Sequence, residues 1–212
     1  MKILCLHGFR SNGSLLYKSI NSLASKLKKH NILLDFVDSK TKHPESNNDI
    51  DYRQWWNTSK EGLFNEKTYD TLYESIEQIY DICSKDNYDG IIGYSQGSVM
   101  VQILLYLMIY PDLFEAKYKK FKFDFKFAIL ASTFKITDTS LMHLYEKKLI
   151  IPVLNVYGKN DTLVPYTVSR ELDNISVNCN SFCHDGKHYI PTTKNFYDFL
   201  IQWFKSEKLF NF

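Results

Sequence analysis

The residues best suited to chemistry lie at positions 93–97, where the sequence G-Y-S-Q-G has the form G-x-S-x-G around Ser95. An apolar stretch precedes this motif and an apolar helical pattern follows it. A serine at a tight strand-to-helix turn has a strained backbone and a projecting hydroxyl, and flanking glycines leave room for the crossing chain. The motif alone also fits a Gly-Ser turn without chemistry, but in this context it predicts that Ser95 is a nucleophile.

A serine hydroxyl needs a base to take its proton, and the base needs an acidic partner. In sheets with this kind of turn, the acid and the histidine follow the serine in that order, each after a later strand. Asp161 and His188 meet these conditions. We expect Ser95 to be the nucleophile, His188 the general base and then the general acid, and Asp161 the group that orients the imidazole. The alternatives are His184 as the base and Asp138 or Asp173 as the acid.

Backbone N–H groups are the expected oxyanion hole. Gln96, the residue after the nucleophile, supplies one N–H, and Phe9 supplies the other from the turn that leaves the first strand. His7, in the same turn, is expected to be a packing residue rather than a catalyst. No metal or organic cofactor is expected, because all the reacting groups belong to the protein.

Short apolar stretches alternate with helical patterns along the chain. The apolar stretches predict strands at 3–6, 33–37, 90–92, 125–130, 151–157 and 175–179. The helical patterns lie at 15–29, 69–84, 98–110, 141–148, 166–172 and 192–207. Unbroken apolar strands are typical of sheets buried on both faces. We therefore predict an α/β fold with a mostly parallel sheet of about six strands, helices on both faces and no separate cap domain, with residues 1–212 forming one domain.

The composition excludes several classes of protein. Lys and Arg number 26 and Asp and Glu 24, a net charge of +2 that is too even for a protein specialised in binding nucleic acid. The apolar stretch at 3–6 is too short for a signal peptide, and the stretch at 99–110 falls short of the roughly 20 residues of a membrane span. With four scattered cysteines, we expect a cytoplasmic protein with reduced thiols and no membrane span.

Two further patterns have simple explanations. Residues 179–188 contain C-x3-C-H-x3-H, which suggests zinc, but a zinc finger needs about twelve residues between its two ligand pairs. Lysines alternate with phenylalanines at 117–127, as on some nucleic-acid surfaces. Aromatic residues at every second position that lead into a buried strand explain this run without a nucleic-acid partner.

The motifs together resemble the serine hydrolases often called the FSH family, which are α/β-hydrolases of minimal size. The resemblance rests on four motifs: L-H-G-F-R at 6–10, G-Y-S-Q-G at 93–97, Y-G-x-x-D at 157–161 with V-P at 164–165, and H-x-G-x-H-x-x-P at 184–191. It implies the same triad as the residues themselves, Ser95, Asp161 and His188. Two positions depart from the family pattern: Lys187 stands in place of a second glycine, and Ala131-Ser132 in place of Ser-Gly.

The resemblance implies hydrolysis of a small-molecule carboxylic ester, or of a thioester, through an acyl-enzyme on Ser95. The long polar segment at 38–68 predicts an open pocket that favours an apolar acyl group, with Phe9, Tyr94, Trp55 and Trp56 as lining candidates. An acyl-protein or acyl-CoA thioesterase is the first alternative. A slow-turnover ligand sensor or scaffold on a hydrolase fold is an alternative of another class.

Overall fold

The computed structural model describes residues 1–58 and 67–209 and has a six-stranded sheet at its centre. All neighbouring strands are parallel, in the order β2-β1-β3-β4-β5-β6. The strands are β1 (Lys2–Leu6), β2 (Leu33–Val37), β3 (Gly90–Tyr94), β4 (Phe127–Ala131), β5 (Val153–Gly158) and β6 (Cys179–His184). The strand order reverses at β1, so the crevice between the carboxyl ends of β1 and β3 is where such sheets bind ligands.

The described residues form five α-helices that cover both faces of the sheet; four of them lie between strands, and the fifth follows β6. They are α1 (Gly13–Lys28), α2 (Leu72–Lys85), α3 (Gln96–Ile109), α4 (Tyr166–Arg170) and α5 (Lys194–Ser206). Side chains alternate between faces along a strand, so Leu4 and Leu6 of β1 join one apolar cluster with α2 and α3. Ile3 and Cys5 join a second cluster with α1 and α5. Helices on both faces of a parallel sheet confirm the predicted fold class.

The registers of the strands align their carboxyl ends at one end of the sheet. Leu6 of β1 pairs with Gly93, and Tyr94 pairs with Ala131 of β4. At the other side of the sheet, Gly158 of β5 pairs with His184 of β6. The segments that follow β1, β3, β5 and β6 therefore meet beyond the carboxyl ends of the strands, where the predicted site residues lie.

The predicted strand at 175–179 is wrong, because β6 runs from Cys179 to His184. This strand lies at the edge of the sheet and its residues are partly or fully exposed, so its sequence C-N-S-F-C-H is half polar and does not form an apolar stretch. The helical pattern at 141–148 forms a short 3₁₀ helix at Met142–Glu146. In the described parts of the chain, no helix is long and apolar enough to cross a bilayer.

Candidate active site

Ser95 occupies the turn between β3 and α3 with a left-handed backbone, at φ 51° and ψ −119°. Its N–H donates to the carbonyl oxygen of Ala131 at 2.9 Å. A Cβ on Gly93 would lie 2.4 Å from the carbonyl oxygen of Gly97, and one on Gly97 would lie 2.4 Å from that of His7. Only glycine fits at either position, and the turn has the strained geometry that the motif predicts.

A cavity of about 560 Å³ opens above the carboxyl ends of β1 and β3. Ser95 and His188 both line it, and much of its wall is apolar. Its described lining residues are Gly8, Phe9, Arg10, Ser11, Tyr94, Ser95, Leu163, Val164 and His188. A cavity with an apolar wall and a few convergent polar groups is typical of small-molecule sites.

Asp161 and His188 form a hydrogen-bonded pair, with His188 Nδ1 2.7 Å from Asp161 Oδ2. The other carboxylate oxygen accepts the N–H groups of Leu163 and Val164 at 2.9 Å each, so the orientation of the carboxylate is fixed. Because a carboxylate can only accept, Nδ1 of His188 carries a proton, and in the neutral imidazole this leaves the lone pair on Nε2. The arrangement can therefore take a proton at Nε2.

Tyr94 contacts both the main chain and the ring of His188. Its hydroxyl donates to the carbonyl oxygen of His188 at 2.8 Å, and the two rings lie 5.1 Å apart. Within residues 1–58 and 67–209, the hydroxyl of Ser95 makes no hydrogen bond. Hydrogen bonds of this kind are often long in an unliganded site and tighten when substrate binds.

His184 lies in a different environment. Its Nδ1 accepts the N–H of Gly186 at 3.1 Å, and it lines a separate cavity beside Cys183. Burial lowers its pKa from the ordinary value. The acidic alternatives are also engaged elsewhere, since Asp138 accepts the N–H of Tyr69 at 2.8 Å and Asp173 accepts from Asn155 at 2.8 Å. The geometry favours Asp161 and His188 over all three.

The two expected oxyanion donors lie beside Ser95. A Cβ on Gly8 would be 3.2 Å from Ser95 Cβ, so the turn after β1 passes close to the serine. Neither Phe9 N–H nor Gln96 N–H donates a hydrogen bond within the part of the chain that the structure describes. Phe9 lines the cavity, whereas Gln96 is fully buried and begins α3, whose amino-terminal end favours negative charge.

His7 is fully buried and takes no part in the cavity lining. Its Nε2 accepts the N–H of Ser39 at 3.1 Å, and its Nδ1 lies 2.7 Å from the carbonyl oxygen of Gly8. Burial lowers the pKa of His7 to about 4, so the imidazole is neutral at physiological pH. These contacts agree with the expectation that His7 is a packing and turn residue.

Trp55 and Trp56 do not line the cavity, contrary to expectation. Both are fully buried in the apolar cluster beneath α2 and α3. Trp55 bonds to the carbonyl oxygen of His7, and Trp56 stacks on Tyr69 with ring centroids 4.1 Å apart. Large aromatic rings bury more apolar area in a core than at an open rim, which explains their position. Residues 59–66 of the predicted loop at 38–68 lie outside the described residues.

Sequence reasoning named Phe9 and Tyr94 as lining residues, and both do line the cavity. It gave no role to Arg10, Leu163 or Val164 in the cavity wall. Arg10 has a left-handed backbone at φ 52° and pairs with Glu45. The sequence did mark two of these residues, because Arg10 and Val164 both belong to the motifs that carry the family resemblance.

The cysteine–histidine pattern of residues 179–188 does not converge. Cys179 Sγ lies 3.7 Å from the carbonyl oxygen of Leu172, whereas His188 is bound to Asp161. Among the residues that the structure describes, no group of three or more His, Cys, Asp or Glu side chains is arranged to hold a metal ion.

Comparisons with known proteins find a family and relatives that match most of the chain. A family model described as "Serine hydrolase (FSH1)" matches residues 1–200. Esterase OVCA2 of Danio rerio is 30% identical over 221 residues, covering 92% of this chain and 92% of the relative.

Two solved structures share the fold. Acyl-protein thioesterase 2 of Zea mays aligns with a TM-score of 0.60 at 17% identity, covering 97% of this chain and 93% of that chain. The Bacillus cereus carboxylesterase has the same TM-score at 19% identity, covering 97% of this chain and 87% of that chain.

Proposed function

The chain belongs to the serine hydrolase (FSH1) family and acts on esters, and we propose that it does so through an acyl-enzyme on Ser95 with Asp161 and His188 as its partners. The observation that carries the proposal is the Asp161–His188 pair at 2.7 Å, whose histidine lines the same cavity as the left-handed Ser95. We assign this site to one domain that spans residues 1–212.

Acylation begins when Nε2 of His188 takes the proton of the Ser95 hydroxyl while Oγ forms a bond to the carbonyl carbon of the ester. The carbonyl oxygen becomes an oxyanion, which the N–H groups of Phe9 and Gln96 stabilise. His188 then gives its proton to the leaving alcohol as the bond from carbon to the alcohol oxygen breaks. Asp161 stabilises the protonated imidazole between these two transfers.

Deacylation repeats the same steps with water. His188 takes a proton from a water molecule, whose oxygen attacks the acyl carbon, and the same two N–H groups stabilise the second oxyanion. When the bond to Ser95 Oγ breaks, His188 returns the proton to the serine. The products are a carboxylic acid and the free enzyme, and no group outside the protein is consumed except water.

The cavity wall supports an apolar acyl group as the substrate. Phe9, Leu163 and Val164 border the space in front of Ser95, and Leu163 is 64% exposed at the rim. Burying an acyl chain against these side chains gains roughly 0.8 kcal/mol for each CH₂ removed from water. We expect kcat/KM to rise when acetyl is replaced by a medium-length acyl group, and a steady fall with chain length would overturn this assignment.

A thioesterase is the second candidate, since the fold is shared with an acyl-protein thioesterase as well as a carboxylesterase. The reacting groups serve either bond, because the acyl-enzyme is the same. A matched oxygen ester and thioester of one acyl group decide between them by kcat/KM.

A fluorophosphonate probe followed by mass mapping of the labelled peptide tests the nucleophile. We expect labelling at Ser95, loss of labelling in Ser95→Ala and much slower labelling in His188→Ala. Labelling of any other residue, or equal labelling of the Ser95→Ala variant, would refute the proposed function.

A further inference from the structure

We propose that Trp55 is a positioning residue for the oxyanion hole, because its two N–H groups join the chain segments that carry Phe9 and Gln96. The inference rests on the proposed function, in which the N–H groups of these two residues bind the oxyanion. Trp55 touches neither the cavity nor the reacting atoms, so its effect would pass through the backbone.

The first link runs to the turn after β1. The indole N–H of Trp55 donates to the carbonyl oxygen of His7 at 2.8 Å, which holds the peptide between His7 and Gly8. The next peptide, between Gly8 and Phe9, carries the Phe9 N–H at one end and the Gly8 carbonyl at the other. His7 Nδ1 lies 2.7 Å from that carbonyl oxygen. Both peptides are thus held from their carbonyl side, and the direction of the Phe9 N–H is fixed.

The tautomer of His7 follows from its partners. Because the Ser39 N–H can only donate to Nε2, the proton must lie on Nδ1, where it is donated to the Gly8 carbonyl. The ring of Trp55 lies 5.0 Å from the imidazole at an interplanar angle of 30°. Trp55 therefore also covers the ring that orients the Gly8–Phe9 peptide and excludes water from it.

The second link runs to the first residue of α3. The backbone N–H of Trp55 donates to Oε1 of Gln96 at 2.9 Å, and Nε2 of Gln96 donates to the carbonyl oxygen of Trp56 at 3.3 Å. Gln96 is fully buried, so both groups of its amide are satisfied by one short segment. Trp55 is consequently bonded to both sides of the proposed oxyanion hole and sets the separation of its two donors.

The adjacent tryptophan provides a matched control. Trp55 and Trp56 are both fully buried in the same apolar cluster. The indole nitrogen of Trp56, however, has no hydrogen-bond partner in the described ranges. Trp55→Phe and Trp56→Phe therefore remove the same number of atoms from the same cluster, but only Trp55→Phe breaks the bond to His7.

The test compares kcat, KM and inhibition by a trifluoromethyl ketone, which forms a tetrahedral oxyanion on the nucleophilic serine. In Trp55→Phe we expect kcat to fall by about 10- to 100-fold with little change in KM, since small misplacements of a positioned group cost this much. The inhibition constant of the ketone should rise by the same factor as kcat/KM falls. In Trp56→Phe, kcat and the inhibition constant should stay close to those of the parent.

Equal losses of kcat in the two variants, or a fall in kcat without weaker ketone binding, would overturn the proposal. If Trp55→Phe does not fold, Gln96→Met replaces it, because it removes the acceptor of the Trp55 backbone N–H. Gln96→Met is expected to weaken kcat and ketone binding together, and parent-like values would contradict the inference. A parent that is not labelled at Ser95 would instead refute the proposed function.

Discussion

The turns that follow β3 and β4 each place a serine at a positive φ, but the surroundings of the two serines differ. Ser95 and Ser132 each follow the last residue of a strand, and both have left-handed backbones, at φ 51° and φ 48°. Both side chains are buried. Ser95, however, lines the cavity beside His188, whereas the hydroxyl of Ser132 has no hydrogen-bond partner in the part of the chain described.

The difference shows when backbone strain indicates function. A left-handed serine costs roughly 1–2 kcal/mol, and a buried hydroxyl without a partner costs roughly 1–3 kcal/mol more. At Ser95 the strained backbone lies in the lining of a cavity that His188 also lines. Ser132 is not among the residues that line the cavity, and the resemblance to the FSH family implies glycine at this position. Strain alone would have selected both serines, and only the surrounding groups distinguish them.

Replacing each serine by alanine gives the largest expected contrast. If Ser95 is the nucleophile, as proposed, Ser95→Ala should lower kcat by about 10⁶-fold, because no other group replaces its hydroxyl. Ser132→Ala should retain kcat close to that of the parent, because its hydroxyl does not line the cavity. Ester hydrolysis measures both, and circular dichroism checks that both variants fold. A comparable loss in Ser132→Ala would show that the two turns do not differ as described.

Asp161→Asn tests whether the groups around Ser95, and not only its backbone, account for activity at the β3 turn. The amide would donate to Nδ1 of His188 and hold the wrong tautomer, so kcat should fall by about 10⁴-fold while the fold is retained. The fluorophosphonate should still label Ser95, but slowly. The matched variant is Asp173→Asn, which alters a carboxylate bonded to Asn155 away from the cavity. Equal kcat in the two variants would remove Asp161 from the mechanism.

We expect the residues that hold the two turns in place to depend differently on pH. The β3 turn packs against the main-chain carbonyl of His7. Burial lowers the pKa of the His7 imidazole to about 4, from an ordinary 6.5. Between these values the unfolded chain binds a proton that the folded chain does not, so stability falls as pH falls, by up to about 3 kcal/mol from His7. The β4 turn is held by Gln102 and Ser169, which do not titrate.

Urea unfolding at pH 7 and pH 5 measures this loss in the parent and in His7→Gln. The variant should lose less stability on acidification, although His43 and His184, whose pKa values burial also lowers, contribute in the same direction in both proteins. An identical acid-dependent loss in parent and variant would show that His7 is not a source of it.

Ser132→Gly gives the smallest expected effect and the opposite sign. Glycine adopts the left-handed backbone without strain and removes the unpartnered hydroxyl, so the free energy of unfolding should rise by about 1 kcal/mol after the entropy of glycine is subtracted. Ester hydrolysis should be unchanged. Thermal and urea unfolding measure the gain, and a less stable variant would mean that the hydroxyl of Ser132 has a favourable role.

The elements buried on both faces were predictable from sequence. The strand predicted at 3–6 lies within β1, and the helix predicted at 98–110 lies within two residues of α3 at both of its ends. β6 was missed because it is an exposed edge strand with the half-polar sequence C-N-S-F-C-H, whereas β2, the other edge strand, has the mostly apolar sequence L-L-D-F-V and was predicted at 33–37. Local motifs were enough to place Ser95, Asp161 and His188 at one edge of the sheet.

The wall of the cavity was less predictable. Trp55 and Trp56 were assigned to it by size and location in a long loop, but their burial depends on how that segment packs over α2 and α3. Residue type gives the apolar character of a tryptophan and not the side of the sheet on which it packs. Leu163 enters the wall because Asp161 accepts its N–H, a contact that depends on the tertiary structure.

The loops after β5 and β6 contact each other through their backbones. A Cβ on Gly158 would lie 2.3 Å from the carbonyl oxygen of Lys187, and Lys159 N–H donates to the carbonyl oxygen of His184 at 2.7 Å. Lys187 contributes only its main chain to this contact, so a side chain is tolerated at the position where the resemblance to the FSH family implies glycine. The loops that carry Asp161 and His188 are therefore joined through their main chains, so a rearrangement of either loop alone would have to break these contacts.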